Sequence, residues 1–142
     1  MNDVDGGVYV FVYGTLRAGE INDMAVAAQR HGLPAPQFVG ATSVPGTLYD
    51  FGDYPGWVPQ HPAAVPVAGD VYRIAPSLVA VLDEIEEVYP GQSGLFARIM
   101  QSVACAGAAY ECIVYPVDAA SIRGRPAIPG GDWVAHRLAR AA

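Results

Sequence analysis

Residues 8–17 read VYVFVYGTLR, and this stretch decides the fold. Its first five residues, Val8 to Val12, are all β-branched or aromatic, with no polar residue among them. A strand with one face in solvent alternates apolar and polar residues, so an unbroken apolar run predicts a strand that is buried on both faces. Gly14 ends the run, because glycine permits the backbone angles of a tight turn. We therefore expect a strand that is buried on both faces and stops at a glycine turn.

Strand patterns recur along the rest of the chain. They are runs of β-branched and aromatic residues bounded by glycine or proline, and they lie at residues 38–49, 67–74, 95–103 and 108–117. The first run breaks at Pro45-Gly46, and the last two flank an Ala106-Gly107 turn that predicts a hairpin. Residues 50–69 are rich in proline and glycine, which predicts loop and edge strand.

Three short helices are predicted between the strands. Each begins at a residue whose side chain can cap it: 22–30 at Asn22, 77–87 at Ser77, and 133–140 at Asp132. Strands outnumber helices and mostly follow one another, which favours an α+β fold. We expect a small mixed, mostly antiparallel β-barrel with short flanking helices.

The composition limits what the chain can do. Its 142 residues suit one domain, which we place at 1–142 with residues 1–6 flexible. The net charge is −6, lysine is absent and the 8 arginines are scattered, which argues against a nucleic-acid partner. Apolar runs are shorter than the roughly 18 residues of a membrane span, and the acidic start differs from a signal peptide. These features predict a cytoplasmic protein with no membrane partner.

The cysteines, histidines and short motifs predict neither a metal nor a cofactor. Cys105 and Cys112 are too few for a disulfide framework and are expected to be free, buried thiols. The three histidines are isolated along the chain, so their spacing does not suggest a zinc or iron site. Phosphate-binding and dinucleotide-binding glycine loops are absent. Ser93 only loosely resembles a nucleophile elbow, and a plain turn is the better interpretation.

The first feature that carries chemistry is the junction Tyr13-Gly14-Thr15-Leu16-Arg17, at the end of the predicted first strand. A strand that stops at glycine can turn its next backbone N–H groups toward one point, and such donors bind a carboxylate or an oxyanion. A plain turn is the alternative interpretation of the same residues. Arg17 is interpreted either as a group that steers anions or as a solvated arginine.

The second feature is the acidic end of the helix predicted at 77–87. At about 100° per residue, one apolar stripe of this helix must face the core, and it holds Leu78, Val81, Leu82 and Ile85. Glu86 lies roughly 90° from that stripe, at the boundary between core and solvent, whereas the other three acidic residues lie further round on a solvated face. Partial burial raises the pKa of a carboxyl group, which makes Glu86 the candidate proton shuttle. A surface residue at the boundary is the other interpretation.

Short blocks in a fixed order connect these two features to a family. The blocks are Tyr13-Gly14-Thr15-Leu16-Arg17, Gly46-Thr47-Leu48-Tyr49-Asp50, Tyr54-Pro55-Gly56, Val67-Ala68-Gly69-Asp70-Val71-Tyr72, Leu82-Asp83-Glu84-Ile85-Glu86, 108–115 and Gly131-Asp132-Trp133. In this order they resemble the γ-glutamylcyclotransferase-like family, also known as avirulence-induced-gene-like proteins. The resemblance covers most of the chain and implies that family's fold, a small mixed barrel with flanking helices.

The resemblance also implies an activity. It implies an enzyme that releases 5-oxoproline from a γ-glutamyl amine, amino acid or acylated small molecule, by a transferase- or lyase-type cyclisation. Glu86 ends the block Leu-Asp-x-x-Glu and is implied as the general acid and base. The backbone N–H groups of Tyr13, Gly14, Thr15 and Leu16 are implied to bind the substrate α-carboxylate. The reaction needs no metal or cofactor, and the oligomeric state stays open.

The sequence departs from the family pattern after the acidic helix. Many relatives have a tyrosine before the arginine of the following strand, but this chain has Phe96-Ala97-Arg98. A hydroxyl contact to the substrate would then be missing. Residues 87–94 are expected to shape the pocket for the leaving group. Tyr115 is interpreted either as a ligand contact or as a tyrosine of the core.

Two other functions stay open at this point. The first is a non-catalytic member of the same fold that binds a small carboxylate or a protein partner. The second is a hydrolase in which Glu86 activates water instead of the substrate amine. The retained acid at position 86 favours an enzyme over the binding protein.

Overall fold

Strand β1 (Val8–Val12) lies at the centre of a five-stranded sheet. This arrangement is taken from a computed structural model, which describes residues 6–88 and 95–141. In spatial order the strands of the sheet are β2 (Gln37–Val44), β5 (Val67–Ile74), β1, β7 (Ala108–Val114) and β6 (Ile99–Cys105). Strands β3 (Thr47–Asp50) and β4 (Pro55–Val58) form a separate antiparallel ribbon. Residues 1–5 lie outside the described residues, so the flexibility of 1–6 stays a prediction.

The sheet is mixed and curls into a half-barrel. Strand β1 pairs with β7 in parallel, whereas the pairs β1–β5, β2–β5 and β6–β7 are antiparallel. The curvature brings the two edge strands of the sheet close together. The Thr42 hydroxyl of β2 donates a hydrogen bond to the Ala104 carbonyl of β6 at 2.7 Å. The predicted α+β class, with a mostly antiparallel barrel-like sheet, is confirmed.

Both faces of β1 are buried, as its apolar sequence predicts. Successive side chains of a strand point to opposite faces. Phe11 packs into the cluster on one face of the curled sheet, beside Trp57 and Trp133. Val10 and Val12 belong to a second cluster, which includes buried residues of helices α1 (Met24–Arg30) and α2 (Pro76–Ile85). The central strand therefore joins both parts of the core.

Two of the three predicted helix caps are wrong. Asp23, not Asn22, caps α1, since its carboxylate accepts a hydrogen bond from the Ala25 N–H at 2.8 Å. The Asn22 side chain instead donates to the Thr15 hydroxyl at 3.0 Å. Helix α2 begins at Pro76 without a side-chain cap, because proline has no N–H that needs one.

The cap predicted for helix α3 (Trp133–Ala141) fits the structure. The Asp132 carboxylate accepts a hydrogen bond from the Ala135 N–H at 3.2 Å. Among the residues that the structure describes, none of the helices combines the length and the apolar character that crossing a bilayer requires.

The hairpin of β6 and β7 turns at Ala106-Gly107, as predicted. Both residues have positive φ, 50° and 81°, and Cys105 lies opposite Ala108. The strands are shorter than predicted, because pairing beyond Ile99 continues only as one bridge between Phe96 and Val117. Cys105 and Cys112 are free and buried, which confirms the expectation for the two thiols.

The turn between β2 and β3 gives a prediction for stability. Gly46 has φ +129°, and a Cβ there would clash with the Trp57 indole nitrogen and lie 2.8 Å from the Val58 carbonyl. Gly46→Ala should therefore lower the free energy of unfolding by about 2–4 kcal/mol in chemical denaturation. Gly130→Ala is the control, since a Cβ at Gly130 meets nothing within 4 Å. Equal losses in the two variants would contradict the packing of this turn.

Candidate active site

The loop that follows β1 lies at the same end of the sheet as the end of β7, because these two strands run parallel. The Tyr13 side chain joins the two ends. Its hydroxyl donates to the Tyr115 carbonyl at 2.7 Å and accepts from the Trp57 N–H at 3.2 Å. Burial raises the pKa of Tyr13 well above its ordinary value. This side chain is therefore a structural anchor that fixes the start of the loop.

The next residues of the loop present backbone donors. Among the described residues, the N–H groups of Gly14, Thr15 and Leu16 have no hydrogen-bond acceptor. The loop itself is fixed, because the Asn22 side chain donates to the Thr15 hydroxyl and the Asn22 N–H donates to the Thr15 carbonyl at 2.9 Å. Fixed and unpaired backbone N–H groups can bind a carboxylate without a basic side chain.

Arg17 is not a solvated arginine, so that interpretation of the sequence is wrong. Its side chain is only 16% exposed, and it bonds Asp70 through Nε at 3.0 Å and Asp132 through Nη1 at 3.3 Å. Asp70 belongs to β5 and Asp132 caps α3. Arg17 therefore holds the loop against two other elements, and its charge is already neutralised.

Glu86 lies at the C-terminal end of α2, one residue after the last helical position. The Glu87 N–H bonds the Glu84 carbonyl at 3.1 Å, and the Val88 N–H bonds the Asp83 carbonyl at 2.8 Å. These two bonds, with Glu87 at φ 58°, form a Schellman cap in which glutamate stands at the usual glycine position. The cap ends the helix earlier than the predicted residue 87 and fixes the backbone at Glu86.

The Glu86 carboxyl group is partly buried and has no hydrogen-bond or ion-pair partner among the described residues. Burial raises its pKa to about 7, because the charged form loses solvation without gaining a partner. Its negative charge also contributes to the raised pKa of Tyr13 and Tyr115. The position at the core boundary agrees with the helical-wheel prediction.

The predicted donors and the predicted acid face one cleft. A narrow pocket is lined by residues 13–16 together with Glu86, Tyr115 and Phe96. It adjoins a cavity of about 620 Å³, whose wall also includes Thr15, Glu86 and Phe96. The narrow pocket holds only about 20 Å³, so a molecule of amino-acid size has room only in the larger cavity, where it meets Thr15 and Glu86. Phe96, where many relatives have tyrosine, lies on the wall of both spaces.

Tyr115 is buried, and its hydroxyl donates to the Asp83 carboxylate at 2.7 Å. The Arg98 guanidinium lies 3.5 Å from the same carboxylate. Burial and the bond to Asp83 raise the pKa of Tyr115 far above its ordinary value. The expected solvated position of Asp83 is thus wrong, because the tyrosine hydroxyl needs a buried acceptor. The ring of Tyr115 lines the cleft while its hydroxyl is occupied.

The sequence did not predict an ion pair that lies on the cavity wall. Arg137 of α3 forms two hydrogen bonds to Glu20, at 2.9 and 2.8 Å. Glu20 is 8% exposed, and the pair raises the pKa of Arg137. These residues are 117 positions apart. No local pattern could have indicated this contact.

The described residues contain no group of three or more histidine, cysteine or acidic side chains that could hold a metal ion. Two histidines have other partners. His136 bonds Asp50 at 2.7 Å, and His61 bonds the Tyr49 hydroxyl at 2.8 Å. Ser93, the loosely elbow-like serine, lies outside the described residues.

Comparison with known proteins adds the family. Residues 10–135 match the family described as gamma-glutamyl cyclotransferase, AIG2-like. The chain belongs to this family. The matched stretch includes both the loop after β1 and the end of α2. The family resemblance of the sequence blocks is therefore confirmed.

Two relatives from this gamma-glutamyl cyclotransferase group align with parts of the chain. A Vibrio cholerae protein, named as a candidate gamma-glutamylcyclotransferase, is 42% identical over 79 residues, 56% of this chain and 62% of its own length. A Niallia circulans protein, named gamma-L-glutamyl-butirosin B gamma-glutamyl cyclotransferase, is 36% identical over 93 residues, 63% of this chain and 54% of its own length. The chain thus aligns with less than two thirds of each relative.

A solved structure shares the fold. An AIG2-like protein from Mus musculus superimposes with a TM-score of 0.62 at 22% identity, over 78% of this chain and 77% of that chain. At this identity the likeness concerns the fold, and it agrees with the family assignment.

Proposed function

We propose that this chain is a γ-glutamylcyclotransferase-type enzyme. It releases 5-oxoproline from a γ-glutamyl amine, amino acid or acylated small molecule, with Glu86 as general acid and base. One observation carries the proposal: an unpaired, partly buried carboxyl group with a pKa of about 7 faces the same cleft as the free N–H groups of Gly14, Thr15 and Leu16. A carboxyl group with such a pKa can both accept and return a proton near neutral pH.

The proposed reaction is an intramolecular aminolysis. The N–H groups of residues 13–16 bind the α-carboxylate of the γ-glutamyl group, and Glu86 accepts a proton from its α-ammonium. The freed amine attacks the γ-carbonyl, which closes a five-membered ring. The bond from the carbonyl carbon to the leaving nitrogen breaks as Glu86 gives its proton to that nitrogen. Glu86 then takes the second proton that the ring nitrogen must lose and passes it to the free amine, so the ring nitrogen ends as a neutral amide and the amine leaves as an ammonium ion.

The proposed geometry explains why the reaction needs only the loop after β1 and one acidic side chain. The nucleophile and the carbonyl belong to one molecule, so holding the folded conformer supplies much of the acceleration. The loop fixes the carboxylate end, and the Schellman cap fixes the backbone at Glu86. Every atom that reacts comes from the substrate and from Glu86, and the reaction as proposed consumes no cofactor.

The relatives support the reaction class and one kind of substrate. The Niallia circulans relative acts, by its name, on gamma-L-glutamyl-butirosin B, which is a γ-glutamyl group on a larger molecule. We propose the same class of bond for this chain. The identity of its leaving group is a separate question.

The deciding experiment is an assay for 5-oxoproline with purified protein and a panel of γ-glutamyl compounds. We expect 5-oxoproline and one equivalent of free amine from at least one compound. The same compound with an acetylated α-amino group is the control, because a blocked amine cannot attack. Release of N-acetylglutamate from the blocked compound would indicate hydrolysis instead. No product from a broad panel, with an anion still bound, would favour a binding protein.

The raised pKa of Glu86 predicts the pH profile. Glu86 must be ionised to accept the proton, so kcat/KM should rise with pH and level off above about 7. An unperturbed glutamate would give its midpoint near the ordinary value of 4.5. Initial rates between pH 4 and pH 8 measure this midpoint. A profile that is flat from pH 5 upward would contradict the assignment.

A further inference from the structure

The proposed reaction develops a negative charge that neither the loop nor Glu86 stabilises. When the amine attacks the γ-carbonyl, the carbonyl oxygen becomes an oxyanion, and a hydrogen-bond donor placed at that oxygen lowers the barrier. The N–H groups of the loop bind the α-carboxylate in this reaction, and Glu86 moves the protons. A further donor close to Glu86 would therefore have a distinct task.

Four of the described residues line both the narrow pocket and the larger cavity, and they are Thr15, Tyr54, Glu86 and Phe96. A substrate in the larger cavity that reaches Glu86 therefore lies next to these side chains. Thr15 belongs to the donor loop, and the side chain of Phe96 has no polar atom. Tyr54 ends in a hydroxyl group, which can donate a hydrogen bond.

The Tyr54 hydroxyl is free to bind a ligand. Three tyrosines line the narrow pocket, and the other two use their hydroxyls within the protein. Tyr13 donates to the Tyr115 carbonyl at 2.7 Å, and Tyr115 donates to the Asp83 carboxylate at 2.7 Å. The Tyr54 side chain is half-buried, and its hydroxyl has no hydrogen-bond partner in the part of the chain that the structure describes. A substrate atom can therefore take this position.

Separate contacts hold the backbone and the ring of Tyr54 beside the donor loop. The next residue, Pro55, packs so closely on the loop that a Cβ at Gly14 would lie 2.7 Å from the Pro55 Cγ. The Tyr54 ring stacks on Phe51 with centroids 5.6 Å apart, and it lies against Phe96 at 5.8 Å. A ring that is already packed loses little freedom when its hydroxyl binds a substrate.

We propose that Tyr54 is a catalytic residue that donates a hydrogen bond to the γ-carbonyl oxygen of the substrate. The hydrogen bond strengthens as this oxygen gains negative charge, so it stabilises the transition state more than the bound substrate. The proton stays on Tyr54, and the side chain neither forms nor breaks a covalent bond. This role rests on the proposed function, because the hydroxyl acts on the carbonyl that the amine attacks.

Tyr54→Phe tests this role, because it removes the hydroxyl and keeps the packed ring. With the γ-glutamyl compound of the panel that reacts fastest, we expect kcat to fall by about 10- to 100-fold and KM to change less than about twofold. Tyr110→Phe is the control, since Tyr110 is also half-buried, packs on the Tyr9 ring at 4.6 Å and lines neither space. A wild-type kcat in Tyr54→Phe would overturn the proposal.

A sulfur-substituted substrate shows whether the contact is to the carbonyl oxygen. In the γ-thioamide of the same compound, sulfur replaces that oxygen and accepts hydrogen bonds more weakly. The size and the intrinsic reactivity of sulfur affect both enzymes alike. The ratio of the amide rate to the thioamide rate should therefore be about tenfold larger in wild type than in Tyr54→Phe. Equal ratios would refute a contact with this oxygen.

Calorimetric binding of 5-oxoproline separates this inference from the proposed function. The ring carbonyl of 5-oxoproline is the former γ-carbonyl, whereas cyclopentanecarboxylate has the same ring size and carboxylate without it. Tyr54→Phe should weaken the binding of 5-oxoproline by about three- to tenfold and leave that of cyclopentanecarboxylate unchanged. Failure of the whole panel to react would overturn the proposed function. No binding of 5-oxoproline to wild type, or an equal effect of the variant on both ligands, would overturn the role of Tyr54.

Discussion

Glu86→Gln should reduce 5-oxoproline formation by about 10²–10⁴-fold, the usual contribution of one general acid–base group. The glutamine keeps the size of the side chain but cannot exchange a proton. Binding of the substrate should change little, because the α-carboxylate is bound by backbone N–H groups. Steady-state kinetics should therefore show a loss in kcat with a similar KM.

The same variant should be more stable than wild type at alkaline pH. The pKa of Glu86 is about 7 in the folded protein and near 4.5 when unfolded. Below pH 4.5 both states hold the proton and burial costs little. As pH rises from 4.5 to 7, the unfolded state is ionised first, so the wild type loses stability by about 2 kcal/mol after allowance for solvent access. Glutamine has no charge to bury, so the stability of the variant should not fall over this pH range.

Glu84→Gln is the matched control for both effects, because it removes an exposed acid two residues away. Thermal denaturation at pH 4 and pH 8 measures the stability difference. A Glu86→Gln variant that retains wild-type kcat would refute the catalytic role. Equal pH dependence of the two variants would show that Glu86 is not buried in its charged form.

Arg17→Ala should have the second largest effect, on stability and on substrate binding together. It removes both hydrogen bonds to Asp70 and Asp132 and leaves Asp70, whose side chain is 13% exposed, without its cation. Loss of one partner of a largely buried pair is strongly destabilising. We expect the free energy of unfolding to fall by about 2–4 kcal/mol in urea denaturation. The loop that carries the N–H donors is then no longer held against β5 and α3, so KM should rise as well.

Two further variants serve as controls for the Arg17→Ala measurement. Arg30→Ala removes an exposed arginine of α1 and should change the stability by less than about 0.5 kcal/mol. Arg17→Lys keeps the charge but cannot reach both acids with a rigid fork, so it should recover only part of the loss. Wild-type stability and KM in Arg17→Ala would show that the two ion pairs of Arg17 are not needed to hold the loop.

The central strand and the acid could be predicted because their signals are local. Burial on both faces of β1 requires only that Val8 to Val12 are apolar. The helical wheel places Glu86 at the core boundary, because the position depends on the buried stripe of α2 alone. Leu78 and Leu82 are fully buried, as that stripe requires.

The capping residue of α1 and the ion pairs of Arg17 could not be predicted, because they depend on residues that are distant in the sequence. Asn22 and Asp23 are both good capping residues, and the choice depends on Thr15, which takes the Asn22 side chain. Arg17 looks solvated in the sequence, but its partner Asp70 is 53 positions away. Charged residues are assigned to the surface by default unless a buried partner is known.

A crystal structure of Glu86→Gln with a bound γ-glutamyl amine tests the central claim most directly. The account predicts a carboxylate oxygen about 3 Å from the backbone nitrogens of at least two of Gly14, Thr15 and Leu16. It also predicts the α-nitrogen within hydrogen-bond reach of the side chain at position 86. A γ-glutamyl group bound elsewhere, or a side chain at position 86 that is turned away from the substrate nitrogen, would contradict it.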